Sequence, residues 1–159
     1  MTATQATIEA DDRVPAIWII RDFAATPAQL FAAHTDSALF ARWIGPDGME
    51  TDITVWDARD GGEWRFVQRD ASGQYAFRGC FHEVTERRIV QTFTYEEDPD
   101  GVLLETLTFE DLGDGRTRLR THSLIDTFEA RDAWLRSGME VGVDQGYAKL
   151  EKVVADVTV

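Results

Sequence analysis

The stretch DAWLRSGMEVGVDQGYAKLEKVV, residues 132–154, reads as one long closing helix. Leu135, Met139, Val143, Leu150 and Val153 recur at helical spacing and form a single apolar stripe. Gly138, Gly142 and Gly146 stand four residues apart on the same side, so they stack within that stripe. A glycine inside a helix costs about 1 kcal/mol relative to alanine, and three cost about 3 kcal/mol. That is a large term beside the roughly 5–15 kcal/mol of net stability of a small domain. Two arrangements offset it. Either another backbone presses close against this face, or the face borders space kept open for something else. Open space is expected beside at least one of the three.

Working upstream, the pattern from about Glu50 to Ile125 has period two. It is broken by turn signals at Asp60-Gly61-Gly62, Asp70 to Gly73, Asp98-Pro99-Asp100-Gly101 and Gly113-Asp114-Gly115. One face of these strands collects Trp64, Phe66, Tyr75, Phe77, Phe81, Phe93, Tyr95, Leu107, Phe109 and Leu119. The other collects Glu63, Arg65, Arg78, Thr94, Glu96, Thr106, Thr108, Arg118 and Arg120. An antiparallel sheet covered on one side produces this division. Gly79 falls on the aromatic face, where it permits a bend or leaves room.

Before the strands, Ala16 to Phe23 reads as a first strand, followed by the capping box Thr26-Pro27-Ala28-Gln29 and a short helix to about His34. Asp36 can cap a second short helix through about Ala41, closed by Ile44-Gly45-Pro46. The expectation is an α+β fold: a curved antiparallel sheet of six to seven strands around a long C-terminal helix, with two short helices after the first strand. Residues 1–14 are polar and aperiodic and read as a flexible tail, with a single domain over residues 15–159.

Composition excludes several function classes. A net charge of −13 repels phosphate backbones and anionic lipid surfaces, so neither nucleic acid nor membrane is an expected partner. No segment offers the roughly 18 apolar residues of a membrane span, and the start lacks the form of a signal peptide. One cysteine, Cys80, rules out an internal disulfide, and a cytoplasmic protein is the simplest reading. His34, His82 and His122 are scattered without metal-ligand spacing, so no metal is expected. No cofactor is indicated: there is no phosphate loop, dinucleotide fingerprint or nucleophile elbow.

The motif Trp43-Ile44-Gly45-Pro46, followed by Asp57-Ala58-Arg59-Asp60-Gly61-Gly62-Glu63-Trp64-Arg65-Phe66, narrows the fold. Tyr75-Ala76-Phe77-Arg78-Gly79, Thr106-Leu107-Thr108-Phe109, Gly113-Asp114-Gly115-Arg116-Thr117 and Gly138-Met139 continue it. This order resembles the Hsp90-ATPase-activator-homologue-like branch of the helix-grip (SRPBCC) superfamily, which includes START and Bet v 1 proteins, from about Trp18 to Val154. The resemblance implies an internal apolar cavity between sheet and long helix, and relatives that bind or transform hydrophobic small molecules.

Candidate ligand-binding residues follow from the two facing surfaces. The sheet offers Trp64, Phe66, Phe77, Phe93, Tyr95, Leu107 and Thr121, and the helix Met139, Gly142, Val143 and Tyr147. Trp43 closes the second short helix and is either a lid or a core plug. Gln91, Thr121 and Ser123 share the inward face and need partners, whether backbone, water or ligand. Asp57 and Arg59 suit a structural pair. No catalytic constellation is visible. The expected function is binding of a hydrophobic or aromatic small molecule. One alternative is an enzyme giving that molecule general acid–base help, in the manner of a cyclase or hydrolase. The other is a chaperone-interacting protein related to the Hsp90 activator. A homodimer is compatible with each.

Overall fold

The computed structural model describes residues 5–159. Eight strands form one wholly antiparallel sheet: β1 (Thr7–Ala10), β2 (Ala16–Phe23), β3 (Glu50–Trp56), β4 (Glu63–Asp70), β5 (Gly73–Val84), β6 (Arg88–Tyr95), β7 (Val102–Gly113) and β8 (Arg116–Leu124). Their spatial order is β1-β2-β8-β7-β6-β5-β4-β3. Consecutive strands from β3 to β8 are neighbours, as Gly-rich hairpin turns require. The N-terminal pair then docks on β8. Helices α1 (Pro27–Thr35) and α2 (Ser37–Trp43) cross from β2 to β3, and α3 (Phe128–Leu135) and α4 (Met139–Ala155) follow the sheet.

The two faces divide as their alternation requires. Phe66, Phe81, Ile89, Phe109 and Leu119 are buried and join Tyr147, Leu150, Val153 and Val154 of α4 in one core. On the outer face Arg65 makes a double hydrogen bond to Glu96 at 2.7 and 3.0 Å, and Arg118 does the same to Asp22. Thr94 departs from the pattern: it pairs opposite Arg78 yet is buried.

Three expectations need correction. The stretch from residue 7 is not a free tail: Thr7–Ala10 pairs with Ile17–Ile20 as an edge strand, while residues 1–4 of that reading lie outside the described residues. The sheet therefore has eight strands rather than six or seven. The closing helix is two helices. Gly138 adopts φ 85°, a left-handed conformation that suits glycine, and stands as the N-cap of α4. It is a joint between helices and carries no helix-interior penalty.

The capping box forms as the sequence requires, with Thr26 and Gln29 bonding reciprocally to each other's backbone N–H. Asp36 caps α2 through the N–H groups of Ala38 and Leu39. Two indoles fasten these short helices. Trp43 Nε1 donates to the Ala33 carbonyl at 2.9 Å, and Trp56 Nε1 on β3 donates to the Thr35 carbonyl at 2.7 Å.

Candidate functional site

The remaining helix glycines separate the two arrangements that the sequence left open. A Cβ on Gly146 would meet the Trp43 carbonyl at 3.3 Å and the Gly45 backbone at 3.5 Å. This glycine lets the α2–β3 connection lie directly against α4. A Cβ on Gly142 would meet only Pro46 Cδ, at 3.9 Å. Gly142 borders a cavity of about 370 Å³ lined by the sheet, the short helices and α4.

Every layer of the fold contributes to the wall. Trp64 and Phe66 from β4, Phe77 from β5, Phe93 from β6, Leu107 from β7 and Thr121 from β8 form the sheet side. Met139, Gly142, Val143 and Tyr147 form the α4 side, and Trp43 the α2 side. Eleven of the twelve residues singled out from the sequence thus come together here. Tyr95 does not. It shares the inner face, but it lies at the end of β6, its ring tilted against Phe77 at 5.3 Å and outside the lining.

Trp43 is a wall rather than a lid. It is 5% exposed, bonded to Ala33, and packed against His34, Phe40 and Tyr147. Trp64 owes its seat to Gly79, its cross-strand partner, since a Cβ there would overlap the indole and the Thr92 carbonyl. Rings then run continuously: Trp64 to Phe93 at 5.3 Å, Trp64 to Phe66 at 5.5 Å, and Phe77 to both phenylalanines at 5.3 and 5.5 Å.

A carboxylic acid interrupts this apolar wall, and sequence reasoning passes it over. Glu105 lines the cavity from β7. Its two oxygens accept from Gln91 Nε2 at 3.1 Å and from Ser123 Oγ at 3.0 Å. The three side chains form a cross-strand row, since Gln91 pairs with Glu105 and Glu105 with Ser123. The partner of Gln91 and Ser123 is therefore a buried carboxyl rather than backbone. Glu105 lies deep in the fold but is not fully packed over, because the surface it keeps opens to the cavity. Burial raises its pKa above the usual carboxylate range, and the two hydrogen bonds pull it back only in part. The signal was parity: Glu105 stands two residues before the inward-facing Leu107.

Two further groups line the cavity in neutral form. Burial pushes the Tyr147 hydroxyl up to about 12. It lies near Thr121 Oγ1 without completing a hydrogen bond, so that oxygen is left unpartnered. His34 places Nδ1 at 2.7 Å from the Leu30 carbonyl, which can only accept, so Nδ1 carries the proton. Burial pushes this imidazole down to about 4. Asp57 and Arg59 pair at 3.0 Å on the exposed surface, away from the cavity. Cys80 is exposed on the outer face. Among the described residues no cluster of His, Cys, Asp and Glu could hold a metal ion.

Residues 24–155 match the family described as "Activator of Hsp90 ATPase homolog 1-like protein". The chain belongs to this family. Its helix-grip architecture recurs in solved structures of bacterial proteins. One from Rhodobacter sphaeroides is 26% identical with a TM-score of 0.84, covering 97% of this chain and 100% of its own. One from Chromobacterium violaceum is 26% identical with a TM-score of 0.76, covering 89% and 99%. The AHSA1 protein of Silicibacter pomeroyi is 23% identical with a TM-score of 0.71, covering 88% and 97%. No curated protein matches the chain. Among the described residues of this Hsp90-activator-like protein, no helix is long and apolar enough to cross a membrane.

Proposed function

We propose that this Hsp90-activator-like protein binds a hydrophobic or aromatic small molecule between its sheet and α4. The observation that carries this reading is the cavity of about 370 Å³, walled by aromatic side chains from three layers of the fold. That volume lies within the roughly 300–1,000 Å³ of small-molecule sites, and an apolar lining with a few polar groups is their usual chemistry. The test is titration with the neutral probe N-phenyl-naphthylamine, alongside native mass spectrometry of freshly purified protein. Saturable fluorescence enhancement at one probe per chain is expected, lost when Val143→Trp fills the cavity. Absence of saturable binding to the wild type would overturn the reading.

A second reading is general acid–base chemistry on the bound molecule, and Glu105 is the observation that favours it. A carboxyl with a raised pKa is the form such chemistry uses near neutral pH. Its test is the mass of a recovered ligand after incubation: a change with the wild type and none with Glu105→Gln.

A further inference from the structure

We infer that the cavity selects a hydrophobic body carrying a basic nitrogen, with its ammonium set against Glu105 beside the aromatic rings. This deepens the ligand-binding reading above and rests on it. Glu105 sits at the centre of a row that runs Phe81, Gln91, Glu105, Ser123, Ile17 across five strands. Each oxygen accepts one hydrogen bond from protein, whereas an ionised carboxyl has about four acceptor positions. Two remain for a donor coming from the cavity.

No lysine or arginine is among the described residues lining the cavity, and the buried Arg21, whose charge reaches Tyr147, is paired with Glu151 at 3.2 Å. A buried carboxylate without a counter-charge is strongly unfavourable. In the empty cavity protonation relieves that cost, and a ligand ammonium relieves it by pairing. The surrounding chemistry suits the ammonium. Phe93 is the diagonal cross-strand neighbour of Glu105, and it continues into Trp64, Phe66 and Phe77 at ring separations of 5.3–5.5 Å. Aromatic faces attract a desolvated cation. The same arrangement excludes the opposite charge. A ligand carboxylate would meet Glu105 with no lysine or arginine in the wall to receive it and with His34 held neutral by burial, and the net charge of −13 would oppose its approach.

The test is calorimetric titration of the full chain with three matched probes: naphthylethylamine, ethylnaphthalene and naphthylacetate. The amine is expected to bind roughly tenfold or more tightly than the hydrocarbon, since hydrogen bonds to charged groups are the stronger class. Naphthylacetate is expected to be the weakest. Glu105→Gln should bring the amine to within about twofold of ethylnaphthalene, both measured on that variant. Equal affinities for amine and hydrocarbon, or preference for the acetate, would overturn the inference and leave the cavity reading standing. So would an amine advantage that survives Glu105→Gln. Failure of all three probes would overturn both readings. The wild-type ranking decides the matter even if the Glu105 variant does not fold.

Discussion

His34 shows how one buried ring ties the cavity wall to pH. Its imidazole packs at 4.9 Å from Trp43 and 5.3 Å from Phe109, and its Nε2 has no partner. Burial holds its pKa at about 4 against an ordinary 6.5, so the unfolded chain takes up this proton more readily than the folded one. The contribution of His34 is therefore complete above pH 6.5 and is lost as pH falls towards 4. That separation corresponds to roughly 3 kcal/mol. Replacing it as His34→Gln should lower stability at neutral pH, with the gap to wild type narrowing by roughly that amount in acid. Asp22 and Glu83, whose pKa values are lowered by Arg118 and Arg88, weaken in acid in both proteins and cancel in the comparison. Urea unfolding across this range measures the gap, and a gap independent of pH would refute the account. The two helix glycines give a second residue-scale outcome. Gly142→Ala should stabilise by about 0.5–1 kcal/mol, because it gains helix propensity and meets only Pro46 Cδ at 3.9 Å. Gly146→Ala must press against the Trp43 carbonyl at 3.3 Å, a backbone atom fixed at the end of α2. Alanine at 142 should therefore be more stable than alanine at 146 by about 1 kcal/mol or more.

At the scale of elements, the strands β3 to β8 were legible because each buries one face, and burial leaves a period of two in the sequence. The same parity brings Trp64, Phe66, Phe77, Phe93, Leu107 and Thr121 to the cavity wall, and it puts Glu105 on that side as well. Strand β1 was not legible. Three of its four residues are exposed, and only Ala6 and Ile8 pack on the core, a run too short to register as alternation. The break between α3 and α4 was hidden for the opposite reason. Leu135 and Met139 both pack on the core across it, so the apolar stripe runs straight through a joint that only the φ of Gly138 reveals. A buried arginine holds this N-terminal region to α3. Arg131 Nη1 donates to the Asp11 and Ala16 carbonyls at 2.9 and 3.0 Å. Arg131→Met should remove the side-chain donor from the Asp11 carbonyl, while the Ala16 carbonyl keeps the Asp11 N–H at 2.9 Å, and cost about 1–3 kcal/mol. Hydrogen exchange at Thr7–Ala10 should accelerate more than at β6 or β7. Equal acceleration throughout would mean that Arg131 stabilises the fold without anchoring this edge.

For the molecule as a whole, the cavity sets stability against binding at Gly142. A void of about 370 Å³ leaves its lining without dispersion contacts on one side, and the glycine beside it forfeits helix propensity. Both losses would be recovered by a side chain that fills the space, and the open surroundings of Gly142 admit one. Gly142→Leu should therefore raise the unfolding free energy of the empty protein by about 1–2 kcal/mol, combining propensity with new apolar burial. The same change should remove binding of N-phenyl-naphthylamine. In the wild type, ligand at a hundred times its Kd should add about 2.7 kcal/mol of stability, and in Gly142→Leu it should add nothing. Thermal melts of both proteins with and without probe supply all four quantities. A variant that is less stable than wild type would show that the space beside α4 is filled in solution by movement of the Pro46 segment. A variant that is more stable and still binds would place the ligand elsewhere. More stable and silent is the outcome the geometry requires, because the glycine that weakens the helix is the one that keeps the chamber open.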